Sequence, residues 1–116
     1  MPRKIDTATG RVALDAVRAA EQPARTDLAT SVRYLLQLLE ERAPGKSVEV
    51  RVPPFGAVQV IQGPAHTRGT PPNVIETDPA TWIALATGDL AWPDARDRIS
   101  ASGTRADISH LLPVRW

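Results

Sequence analysis

One stretch of this chain carries polar residues whose types suit ligand chemistry: the Pro- and Gly-rich run 64–73 and the strand that follows it. His66, Arg68, Asn73 and Glu76 are spaced so that a folded loop could converge them on one polar group. Arg68 supplies paired N–H donors that match a carboxylate or phosphate. The same residues have a plainer reading, in which Arg68 pairs with Glu76 or Asp78 and Asn73 caps the loop. The plainer reading is favoured. Loops carry function out of proportion to their length, so the cluster stands as a candidate polar site.

Other chemistry is eliminated residue by residue. Gly45-Lys46-Ser47 has the ending of a phosphate-binding loop, but the glycine that motif needs five positions earlier is Glu40, inside a helical pattern. His66 and His110 have no partners at ligand spacing, so no metal site is expected. The chain has no cysteine, which excludes disulfides, thiolate ligands and a thiol nucleophile. Asp107, Ser109 and His110 include the three residue types of a hydrolytic triad, packed too close in sequence to provide a nucleophile elbow or oxyanion donors. No catalytic residue and no cofactor are expected, and the chain does not read as an enzyme.

The elements that would position these residues belong to one domain. A length of 116 residues, an apolar fraction of 42% and a charged fraction of 23% are ordinary globular values. The net charge of +1 gives no field that would attract nucleic acid. Twelve arginines stand against Lys4 and Lys46, a bias of composition. Met1–Asp6 has no apolar run behind its charges, and no stretch approaches the roughly 20 apolar residues of a membrane span. A cytoplasmic protein without stable membrane insertion is expected.

Residues 1–10 read as a loose lead-in, followed by a short alanine-rich helix from Arg11 to Ala20. Residues 1–24 are set apart from a single domain at 25–116. Leu28, Val32, Leu35, Leu36 and Leu39 form one apolar stripe on a second helix, capped by Thr26 or Asp27 and ended at Ala43-Pro44-Gly45. Alternation at Val48, Val50 and Val52 predicts a half-buried strand, and 57–62 a second, antiparallel to it across Pro53-Pro54. Val74–Thr77 is a short strand. Asp78 and Pro79 then open a helix that Gly88 closes. A turn at 90–95, a small-residue strand at 99–103 and a final helix capped by Thr104 and Asp107 complete the order. Ile108, Leu111 and Leu112 give that last helix its apolar face.

This order resembles the sterol carrier protein fold. The resemblance rests on Val74–Asp78, on Trp82–Gly88, on Ala95 and on Ile99–Gly103. Arg51–Phe55 and His66–Asn73 are similar to the small actinobacterial branch of that family. The similarity spans roughly 28–112. It implies an α/β (α+β) fold: a twisted, mostly antiparallel sheet of about five strands with helices packed on one face.

The resemblance also implies a tunnel for a small apolar ligand, a lipid or acyl chain, between sheet and helices. Leu35, Leu39, Val58, Val60, Trp82, Leu85, Trp92 and Leu111 would line it. Two other readings accompany this one. In the first, Ala57, Ala84, Ala86, Ala91 and Ala101 help fill a solid core, and the chain is a structural or interaction protein, with a protein partner or a second copy. In the second, it is an accessory domain of a partner enzyme. Trp82 reads as core, while Trp116 is expected to be exposed.

Overall fold

A computed structural model describes residues 4–63 and 73–116. Three α-helices, α1 (Thr7–Ala19), α2 (Arg25–Arg42) and α3 (Pro79–Thr87), accompany four strands, β1 (Pro44–Val52), β2 (Gly56–Val60), β3 (Asn73–Thr77) and β4 (Ile99–Ser102). Short 3₁₀ segments occupy Trp92–Arg98 and Ser109–Leu111. The sheet runs β2-β1-β3-β4. The β1–β2 and β3–β4 pairs are antiparallel and β1–β3 is parallel. The fold is α+β, as the resemblance implies. Four strands rather than about five stand among the described residues.

Register explains why one sheet face is covered. Val48 pairs with Val60 and Asn73, and Val50 with Val58 and Ile75, so these side chains share a face. Val48, Val50, Val52 and Val60 have no exposed surface. Glu49, Arg51, Gln59, Glu76, Ser100 and Ser102 alternate onto the other face, the usual division for a sheet packed on one side. The leucine stripe of α2 lies over the inner face, with Val32, Leu35 and Leu39 at zero exposure. Trp82 of α3 is 1% exposed, and its Nε1–H donates to the Val32 carbonyl at 3.3 Å.

The hairpin turn is Val52-Pro53-Pro54-Phe55, with a cis bond between the prolines and the Phe55 N–H donating to Val52 O at 2.9 Å. That geometry is the turn class built around a cis proline, which is how two prolines fit a tight antiparallel connection. At the other end of the pair, β1 bulges between Pro44 and Val48. Ile61 there holds φ +64°, uncommon for a β-branched residue and costing about 1–3 kcal/mol. Three bonds hold it. The Ser47 N–H and Oγ–H both donate to its carbonyl, at 3.0 and 2.7 Å, and its own N–H donates to Ala43 O at 2.7 Å.

Several boundaries differ from the sequence reading. The lead-in is ordered from Asp6, whose carboxylate accepts from the Thr9 N–H at 2.7 Å and caps α1 at Thr7. That helix is also better packed than its alanines suggest. Gly10 is buried against the face of the Tyr34 ring, and Leu14 is fully buried. Helix α2 begins two or three residues early, at Arg25, without a side-chain cap. Asp27 lies in its first turn instead, where a carboxylate complements the helix dipole.

The expected C-terminal helix at 104–112 is absent. The Arg105 N–H donates to Asn73 Oδ1 at 2.9 Å, and the Ser109 N–H to Asp107 Oδ1 at 2.8 Å. These side-chain bonds displace the helical ladder. Ile108, Leu111 and Val114 are still buried in the core. The last residues form an extended strap: the Val114 N–H donates to Ala86 O at 2.9 Å, and Arg11 Nη2 donates to Trp116 O at 3.0 Å. Trp116 is half-buried rather than exposed. The Arg18 guanidinium stacks 4.9 Å from its ring centroid and also pairs with Asp89 at 2.9 Å.

Candidate functional site

The side chains expected to line a tunnel do come together. Leu35, Leu39, Val60, Trp82 and Leu111 belong to one buried cluster, with Val58 and Trp92 packed half-buried against it. Leu85 is buried as well. Leu35, Leu39 and Val60 have no surface a water-sized sphere can touch, Trp82 has 1% and Leu85 has 2%. A void large enough for one water would leave such surface on its walls. The layer between sheet and helices is therefore filled around these residues.

Of the four polar candidates, the described pair, Asn73 and Glu76, is parted. His66 and Arg68 lie outside the described residues. Asn73 and Glu76 sit three apart on β3 and emerge on opposite faces of the sheet. Asn73 is 4% exposed and committed to structure. Its Nδ2 donates to the Ser47 carbonyl at 2.9 Å, and its Oδ1 accepts from the Arg105 N–H, joining β1 to the segment after β4. Asp78 caps α3 through the Thr81 N–H at 3.3 Å.

The motifs set aside on sequence grounds also have structural employment. Gly45-Lys46-Ser47 is the β1 bulge, its serine hydroxyl bound to Ile61 O. Hydrogen bonds from the Ser109 hydroxyl and backbone N–H hold the Asp107 carboxyl below the ordinary aspartate range, so its oxygens serve as acceptors within this turn. Among the described residues, no group of three His, Asp or Glu side chains is arranged to hold a metal. No helix among them is long and apolar enough to cross a membrane.

Two of the open depressions among the described residues bear on a site. The larger, about 450 Å³, lies at the carboxyl ends of the parallel pair β1 and β3, where Glu76, Asp78 and Asp97 face one cation, Arg98. Crevices at that end of parallel strands are the habitual ligand position in open sheets. Of these charges, sequence reasoning singled out Glu76 as a site candidate and Asp78 as a helix cap. Asp97 and Arg98 arrive on the 3₁₀ segment, whose course no periodicity announces. The smaller, about 380 Å³, runs between the end of α2 and the strap, with Leu38 and Val114 beneath Arg42 and Arg115. Sequence reasoning missed it entirely, because Val114 and Arg115 lie beyond the expected helix, in a segment to which no local pattern assigns a course.

A family model described as "Bacterial SCP ortholog" matches residues 24–114. No curated protein matches the chain.

Proposed function

Because the chain belongs to this bacterial sterol carrier protein (SCP) ortholog family, we propose that it is a non-catalytic module of the sterol-carrier type that acts through its surface. The observation that supports this is the filled layer around Leu35, Leu39, Val60 and Trp82. An acyl chain entering it would displace about as much apolar side-chain surface as it buried. The usual return of about 25 cal/mol per Å² of apolar area would largely cancel. The natural occupant of such a surface is a protein, whether a partner enzyme or a second copy.

Family membership favours a second reading, a small apolar ligand held between sheet and helices. Under it, the strap residues Leu111 and Val114 would part from the core to admit the ligand. One experiment separates the two. The purified chain is weighed by native mass spectrometry, then melted with a fatty acid, an isoprenoid alcohol and a sterol. The surface-acting reading expects the bare mass and an unmoved melting temperature. A ligand present at a hundredfold over its dissociation constant would add about 2.7 kcal/mol, a rise of several degrees. Such a rise, or a copurified lipid, would replace the first reading by the second.

A further inference from the structure

We propose that the groove between α2 and the strap docks a segment of a partner protein that pairs an apolar side chain with flanking carboxylates. This rests on the surface-acting reading and gives that surface a location. Leu38 and Val114 form the floor, and Arg42 and Arg115 stand exposed at the rims. Arg11, Arg18, Arg33 and Arg51 are tied to Trp116 O, Asp89, Phe55 O and Glu49, and Arg25 lies over the Phe55 ring, whereas Arg96, Arg98 and Arg105 show no such side-chain bond among the described residues and do not line this groove. Among the described residues, Arg42 and Arg115 join no ion pair and donate no side-chain hydrogen bond. They are also brought into one concavity with an apolar floor.

Charge and size select the occupant. A guanidinium presents a planar fork that a carboxylate meets with two parallel hydrogen bonds. The partial negative charge at the end of α2 opposes an anion there, but it is a fraction of a charge against two full ones, and Arg115 lies off the helix. A volume of about 380 Å³ is near the lower limit for small-ligand sites, about 300–1,000 Å³. It accommodates one apolar side chain between charges, while two floor residues give an acyl chain no enclosing wall. The depression at Glu76, Asp78 and Asp97, with Arg98 its one cation, carries the opposite net charge and disfavours the same segment.

A random-peptide display library panned on the full chain tests this. Enriched peptides are expected to place Asp or Glu on both sides of Leu, Ile or Val. A peptide so selected should shift the backbone amide resonances of Leu38 and Val114, and should bind more weakly as salt is raised. Arg42→Glu with Arg115→Glu should weaken it about a hundredfold. Arg115→Glu alone, which leaves the end of α2 untouched, should weaken it about tenfold. The proposal is overturned by enriched peptides without acidic residues, by an absence of enrichment, by affinity that survives both reversals, or by shifts confined to other amides. Displacement of the peptide by decanoate at the same amides would make this a small-anion site and overturn the assignment to a protein segment. Failure of the surface-acting reading itself would show separately, as a lipid-induced rise in melting temperature.

Discussion

Replacing Gly10 by alanine sets two effects against each other, and the structure decides which wins. Within a helix the substitution ordinarily stabilises by about 0.8–1.0 kcal/mol. At Gly10, however, the added Cβ would fall well under 3.0 Å from three carbons of the Tyr34 ring. The shortfall from ordinary contact is about 1 Å, enough to forfeit a quarter to a half of the dispersion well wherever the helices are pushed apart. Tyr34 is 2% exposed, so its ring cannot swing away as the end of a flexible chain would. Overpacking of this kind costs about 1–3 kcal/mol, and a clash with the ring face belongs at the upper end. After the propensity gain is subtracted, Gly10→Ala should destabilise by about 2 kcal/mol, a fall in melting temperature of roughly 6–10 °C. Urea and thermal unfolding followed by far-ultraviolet circular dichroism measure it. The control is a double-mutant cycle. In a Tyr34→Ala background, the same Gly10→Ala change should become neutral or stabilising, a coupling of about 2–3 kcal/mol. Unchanged or raised stability in the single variant, or additivity in the cycle, would refute the contact between α1 and the ring.

Gly88→Ala tests backbone conformation without crowding. Its φ is +92° and the new Cβ would meet only Pro113, at an ordinary 3.4 Å, so a loss of about 1–2 kcal/mol is expected in urea unfolding, with Gly88→Asn losing less. Asn73→Ala removes an amide that satisfies both the Ser47 carbonyl and the Arg105 N–H, and should cost about 2–4 kcal/mol by the same measurement. The Asp6 carboxyl is held below the ordinary aspartate range by the Thr9 N–H and then the Thr9 hydroxyl. Its contribution is therefore complete above that ordinary range and lost as pH falls through the lowered value. In an acid series of melting temperatures, Asp6→Asn should flatten this part of the decline.

What could be read in the sequence was whatever local rules govern. The stripe Leu28–Leu39, the alternation Val48–Val52 and the Asp78-Pro79 opening of α3 with its Gly88 close all stand where periodicity and capping put them. The failures share a cause. Thr104 and Asp107 form a sound cap pattern, but Asn73, thirty-two residues from Arg105, claims the backbone first. Gly10 reads as part of a loose lead-in, and only the ring across from it gives it a place in the helix. The candidate site fared worse, since Asn73 and Glu76 were treated as neighbours when the pleat sends them to opposite faces. The groove under Arg42 and Arg115 depends on where the strap crosses α2, which no local pattern encodes.

The strap has a kinetic consequence. Its links to α1 and α3 join residues as far apart as Arg11 and Trp116, mostly through exposed groups. Such a segment is suited to open alone while the sheet stays intact, as a unit of low local stability. Deuterium exchange at the Val114 amide, bonded to Ala86 O, should therefore outpace exchange at Val50 in the buried centre of β1. Whatever seats on Val114 and Arg115 would slow that opening. The timing of a single amide would then report occupancy of that surface.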